Sequence, residues 1–311
     1  MQEAVKGKVS VGIIALNLAL SLIAILSVCK AGVFVSQGTC FTLATTSAAA
    51  APPAPTVFMT LIVPCTYVDF TCYKHRFFTH LYENVTDPPE EIIFVISAAP
   101  SNISAVDFPN PPLSQERNID IKLVFFHSPH NAAQNRNIGA TLATGKFVTF
   151  FDMDDLVHPQ RFQVIKYLLQ QHPHVDAALF GYKMGSHEQA KTYQFENIEL
   201  KQLKEPPYSS EHLYSEYVKY VDDRPGQPFS KFWCCKPVGV MTVANGWGTY
   251  RRETFLKYQY DEDIHKGEDS DLNARLILGG ENFTLWKIVL GFYENNIGRE
   301  QLCGEDDGAL H

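Results

Sequence analysis

The sequence is poor in charge where its chain begins and poor in paired metal-binding spacings throughout. No charged residue lies between Val9 and Val28, and after Lys30 none appears until Asp69. Basic residues are in the minority, 26 against 34 acidic ones, for a formal net charge of -8. That balance argues against a broad nucleic-acid surface, so no nucleic-acid partner is expected. None of the seven cysteines (Cys29, Cys40, Cys65, Cys72, Cys234, Cys235 and Cys303) forms a CxxC pair, which argues against a zinc cluster. No internal repeat is visible. Hydrophobic content of 45% against 19% charged excludes a disordered chain, and 311 residues are enough for a sizeable core.

The uncharged stretch VSVGIIALNLALSLIAILSV is about the ~20 residues a helix needs to cross a bilayer. Lys6 and Lys8 precede it, which favours a cytoplasmic N-terminus and a lumenal remainder. The reading is a cytoplasmic tail over 1–8, a transmembrane signal-anchor over 9–29 and a small-residue, Pro-containing stem over 30–56. A signal peptide cleaved near Ser47–Ala51, giving a secreted protein, and a buried core helix are the alternatives. The sequons at Asn84, Asn102 and Asn282 agree with a lumenal side.

From Val57 the pattern becomes one of short apolar runs alternating with helical spacing. Val57–Val63, Glu91–Ile96, Ile119–Phe126, Phe147–Phe151 and Val175–Phe180 read as strands. Phe70–Tyr82, Asn135–Thr144 and Pro159–Gln171 read as helices. Pro64 is expected to stop the first strand. This alternation predicts an α/β domain with a mostly parallel sheet covered by helices on both faces. Ligands of such sheets sit beyond the carboxyl ends of the strands. Residues 185–227 read as an insertion or lid, the domain runs over 57–300, and 301–311 is a solvated acidic tail.

One strand ends in a concentration of acid, 151-FDMDDLVHP-159. In an extended chain Asp152 and Asp154 project to one side and Asp155 to the other. Two hard carboxylates suit Mn2+ or Mg2+, with phosphate oxygens completing the shell. A helix cap is the plain structural explanation of the same acids. Upstream, Arg136 and Asn137 open a helix where an anion is welcome. Downstream, Glu268, Asp269 and Asp271 open another, with Leu272, Leu276 and Ile277 as its apolar face. Acids there suit the helix dipole in any case, but a carboxylate beside an acceptor hydroxyl serves as a general base. Gly246 and Gly248 flank Trp247, an arrangement that either presents an aromatic face to a sugar or turns a core tryptophan inward.

In this order the pieces resemble a GT-A fold glycosyltransferase of the family-2 type. The resemblance runs over roughly 57–293 and rests on four places. These are Val63-Pro64-Cys65-Thr66-Tyr67, Arg136-Asn137-Ile138-Gly139, Asp152-Met153-Asp154-Asp155 with His158-Pro159 and Arg161, and Gly267-Glu268-Asp269. It implies an enzyme moving a sugar from a UDP- or GDP-sugar to a glycan, protein or lipid hydroxyl, metal-dependent and inverting, in a Golgi or ER lumen. It implies Asp154 and Asp152 at the metal and Asp269, with Glu268 beside it, as the base. Pro64, Thr66, Tyr67, Ser97, Arg136 and Asn137 would then lie at the donor, and Trp247, Gly246 and Gly248 at the sugar or acceptor. Two positions depart from the family pattern: Val95–Ala99 carries no acid, and no histidine follows Tyr293 before His311. A non-catalytic carbohydrate- or nucleotide-binding protein on this fold and a nucleotidyltransferase are the alternatives. The latter lacks its Gly-rich, basic first turn here.

Overall fold

The computed structural model describes residues 57–105, 117–203, 208–215, 242–243, 245–265 and 267–294. The apolar run, the stem, the C-terminal tail and part of the expected lid (204–207 and 216–227) lie outside the described residues. Among those described, no helix is long and apolar enough to cross a membrane.

The chain begins with β1 (Met59–Thr66), α1 (Tyr67–Thr79) and a π-helical turn (His80–Asn84). Then come β2 (Glu91–Ser97), β3 (Asp120–Phe125), α2 (Ala132–Leu142), β4 (Phe147–Phe150) and β5 (Leu156–Val157). α3 (Arg161–Gln171), β6 (Ala177–Gly185) and α4 (His187–Thr192) follow. The last part holds β7 (Thr242–Val243), a 3-10 turn (Asn245–Trp247), β8 (Thr249–Arg251), α5 (Arg252–Tyr258), α6 (Glu268–Leu278) and β9 (Phe283–Glu294).

The sheet order is β3-β2-β1-β4-β8-β6-β9-β5, with β7 beside β6. β3, β2, β1 and β4 run parallel, as the alternating pattern requires. β8 is antiparallel to both β4 and β6, and β5 is antiparallel to β9. The sheet is therefore mixed rather than mostly parallel. β8 was not legible because three residues carry no period.

Period two sorts the strands into two cores. Leu61, Val63, Phe94 and Ile96 join the cluster under α1, where Phe94 meets Phe70, Phe77 and Phe78 at ring separations of 5.9, 5.7 and 5.2 Å. Such pairs add ~0.5–1.5 kcal/mol each beyond burial. Ile62, Ile93, Val95, Val148 and Phe150 face the other cluster, with Leu272, Leu276 and Ile277 of α6 as expected. Gly139 is where α2 rests on β1. A side chain there would collide with Ile62, which explains the glycine of the Arg-Asn-x-Gly run.

β1 does not stop at Pro64 but continues in register to Thr66↔Ser97. The amide of Phe151 donates to the Ile62 carbonyl, so even-numbered residues of β1 turn their polar groups toward β4. β4 ends its pairing at Phe150, opposite Ile62, so the N–H that proline lacks has no acceptor to miss. At the opposite end of the sheet, buried Glu91 accepts bonds from Thr60, Lys122 and the Thr144 amide and hydroxyl. Burial pushes its carboxyl up, but these donors outweigh that and hold it below the usual range.

Candidate active site

The acids at the end of β4 do not continue the strand. Asp152 through Asp155 form a turn, closed by the Asp155 amide on the Asp152 carbonyl at 3.3 Å. The extended alternation expected for them is replaced by this turn, yet Asp155 still parts from the other two. It is buried and its Oδ1 accepts from the Glu294 amide at 2.9 Å, while its Oδ2 has no partner among the described residues. Burial first, and then Asp154 and Asp152, push its carboxyl well above the usual range. Asp152 remains about a third open, with 31% side-chain exposure.

Arg136, in the first turns of α2, is the centre of the arrangement. Its Nη2 donates to Asp152 at 3.0 Å and its Nη1 to Glu268 at 3.0 Å, with only 5% of its side chain exposed. The Tyr260 ring lies 5.4 Å from its guanidinium carbon. Burial works against the cation, but Asp152, Tyr260 and Glu268 outweigh it and hold the charge firmly. The family resemblance implies a place at a nucleotide or diphosphate for Arg136. In the ligand-free structure it engages two carboxylates, Asp152 sixteen residues on and Glu268 132 residues on, and its own burial makes that pairing necessary.

Glu268 and Asp269 open α6 behind Gly267, whose φ of 87° is the left-handed region that favours glycine. Asp269 accepts the Ser270 amide on Oδ1 at 2.7 Å. Its Oδ2 lies on the Gly246 side, 3.9 Å from where a Cβ on Gly246 would stand, and the same point is 3.4 Å from Arg136 Nη2. Gly246 thus keeps open the space between Asp269 and Arg136. Burial and the Glu268 charge raise the Asp269 carboxyl, against Arg136 and the Ser270 bonds, which lower it.

Several residues expected at ligands are committed to the protein. Trp247 is 3% exposed and stacks on Phe151 at 4.5 Å, so it presents no open face to a sugar. Its carbonyl accepts from Arg161 at 2.8 Å, and Arg161 also spans Thr149, Phe150 and Leu290. Burial alone lowers the Arg161 guanidinium to about 9. Gly248 has no room for a side chain beside the Tyr250 hydroxyl. Asn137 holds Tyr260 through main-chain bonds in both directions at 2.9 Å and reaches Glu262 at 3.0 Å. It therefore fixes the loop before α6. Pro64 is inside β1, and buried Ser97 donates to the Cys65 carbonyl at 3.4 Å. Asn135, which no sequence motif singles out, ties both strand ends to α2 by donating to the Cys65 carbonyl and Ser97. Thr66 is exposed and caps α1 through a reciprocal box with Asp69, and Tyr67 is half-buried beside it.

The donor set fits a divalent cation in one way only. Among the described residues no group of three His, Cys, Asp or Glu side chains is placed to hold an ion alone. Asp152 and Asp154 offer hard oxygens for a cation whose remaining ligands are phosphate oxygens and water.

A mixed α/β sheet with acids at the β4 turn and at the start of a late helix is a GT-A-like arrangement. The sequence profile described as glycosyl transferase family 2 matches residues 71–253, more than half the chain, and the chain belongs to that family. Among solved structures, S. aureus TarS 1–349 in complex with UDP-GlcNAc is 15% identical over 78% of this chain and 59% of its own, with a TM-score of 0.50. That likeness is one of fold, and the chain spans only about six tenths of that structure. The mannosyltransferase PcManGT from Pyrobaculum calidifontis, solved with GDP-Man and Mn2+, is 16% identical over 93% of this chain and 69% of its own, at a TM-score of 0.46. No curated protein matches by sequence.

Proposed function

We propose that this chain transfers a sugar from a nucleotide-sugar to an acceptor hydroxyl with inversion, using Asp152 and Asp154 on the donor side and Asp269 as the base. The observation that carries the reading is the double ion pair of Arg136, which holds the donor-side acid turn and the first turn of α6 against one another. The acceptor oxygen attacks the anomeric carbon as its proton passes to Asp269 Oδ2. The bond from that carbon to the diphosphate breaks, and the electron pair leaves with the nucleoside diphosphate. Asp154 and Asp152 would hold a divalent cation, which would supply charge neutralisation for the departing diphosphate. Gly246 leaves room for the acceptor beside Asp269.

The test is thermal unfolding of the full-length chain with UDP, GDP and their sugars, each with and without Mn2+. Ligand at ~100 times its dissociation constant adds ~2.7 kcal/mol of stability, a readily visible shift. One nucleotide is expected to stabilise only with metal, and Asp154→Ala to abolish the effect. Absence of any shift across the panel would sink the donor-site reading.

We further propose that residues 9–29 anchor the chain with the catalytic unit in a Golgi or ER lumen. The uncharged run and the lysines before it, Lys6 and Lys8, support this. Protease treatment of intact microsomes should leave the 57–294 region protected, and its digestion there would reject the topology.

A further inference from the structure

The acid turn is bonded from behind by residues that no motif marks. Arg76, in the last turn of α1, donates from Nη2 to the Asp154 carbonyl at 2.6 Å and to Glu294 Oε2 at 2.8 Å. Glu294 is the final residue of β9 and its side chain is fully buried. Its other carboxylate oxygen is bonded to His187 Nδ1 at the start of α4. Its amide donates to Asp155 Oδ1 at 2.9 Å. The turn is thus held at two successive residues, once through main chain and once through a side chain. Three separate elements converge behind it.

Three carboxylates in four residues repel one another, and a turn left to itself relaxes by splaying them. Arg76 opposes this with a cation that reaches the turn's backbone. Glu294 keeps that cation in place, and His187 satisfies the oxygen that Arg76 does not reach. A buried carboxylate with both oxygens and its own amide engaged has little freedom to move.

We propose that Arg76 and Glu294 are positioning residues that set the affinity of the acid turn for a divalent cation–nucleoside diphosphate. The inference rests on the donor-site reading above. They act through the turn: by fixing the Asp154 carbonyl and the Asp155 carboxylate, they fix where the Asp152 and Asp154 carboxylates stand. Outer partners of metal-binding carboxylates typically control metal affinity ~10–100-fold.

The experiment titrates Mn2+ into the full-length chain by calorimetry at saturating UDP, and separately GDP. It compares wild type with Arg76→Met, Arg76→Lys and Glu294→Gln. Metal-free nucleotide binding and the fraction folded are measured alongside. Arg76→Met is expected to weaken the Mn2+ dependence ~10–100-fold while metal-free nucleotide binding stays at the wild-type level. Arg76→Lys should recover part of the loss, because it restores the charge but not the fixed planar geometry of the guanidinium. A merely structural role predicts a lower melting temperature with unchanged metal affinity in the folded fraction, and that result overturns the proposal. If Arg76→Met does not fold, Glu294→Gln decides by the same criterion, since it keeps the side chain's size. If wild type itself shows no metal-dependent nucleotide binding, the donor-site reading falls and this inference falls with it. If wild type binds with metal and the variants match it, only the inference falls.

Discussion

Asp269→Asn lowers turnover ~10²–10⁴-fold, the range that a positioned general base contributes, while nucleotide binding keeps its wild-type strength. The amide matches the carboxylate in volume and still accepts the Ser270 amide, so the turn opening α6 is preserved. What it loses is the ability to take a proton from an acceptor hydroxyl. On the proposed reading donor affinity is set at the β4 turn, which this substitution leaves untouched. The pH profile of the wild-type enzyme carries a second signature. Burial and Glu268 raise the Asp269 carboxyl, so its protonated, inactive form persists to higher pH than for an ordinary aspartate. Activity should fall as pH drops through that raised value, and this acidic limb should vanish with Asp269→Asn. Glu268→Gln is expected to cost less, because Glu268 is bonded to Arg136 and not to the Gly246 side. The anomeric configuration of the product reads the stereochemistry in the same assay, and inversion is the expected outcome. Wild-type-like turnover in Asp269→Asn would remove Asp269 from the chemistry. A chain that binds nucleotide with metal yet turns over no sugar would be the non-catalytic form of this fold.

Five strands (β1 to β4 and β6) and four helices (α1, α2, α3 and α6) were legible, the strands as short apolar runs and the helices by their spacing and end signals. β2 is buried at every position, and α6 shows its apolar stripe at Leu272 and Leu276. What remained hidden depends on pairing between distant segments. β8 is three residues long, and its antiparallel place between β4 and β6 follows from neighbours at Thr149 and Ala178 that no local pattern encodes. β9 carries the exposed Lys287 and a glycine at 291 within twelve residues, which masks its period. The acids stand out because several carboxylates in a short run have few structural uses. Trp247 went the other way: glycines on both sides are compatible with presentation or burial. The choice is made by Phe151, by Arg161 and by Gly291, whose missing side chain leaves room for the indole. Arg76 and Glu294 had no signal at all, since single charged residues at element ends acquire their meaning only from what the fold brings to them.

Arg136→Met destabilises the ligand-free protein by ~3–5 kcal/mol, the usual consequence of removing one partner from a buried ion pair. The magnitude follows from what is left behind. Asp152 and Glu268 each lose a bond of 3.0 Å, and Glu268 is left with its charge beside that of Asp269. Chemical denaturation without nucleotide measures this directly. A role as a diphosphate ligand alone predicts the opposite pattern: unchanged stability of the free protein and a loss confined to nucleotide affinity. Arg136→Lys should fall between the two, because an ammonium on a single stem cannot reach both carboxylates with the fixed fork of a guanidinium. Combining Arg136→Met with Glu268→Gln should recover ~0.5–3 kcal/mol relative to the sum of the single changes, since one of the stranded charges is then gone. The same substitution moves the pH profile. Arg136 favours the charged form of Asp269, so its removal raises that carboxyl further and shifts the acidic limb of activity to higher pH. Loss of stability and an upward limb shift in one variant would tie the donor-side acids to the base through a single guanidinium. A limb that stays in place would separate Asp269 from Arg136 and leave the ion pair as scaffold alone.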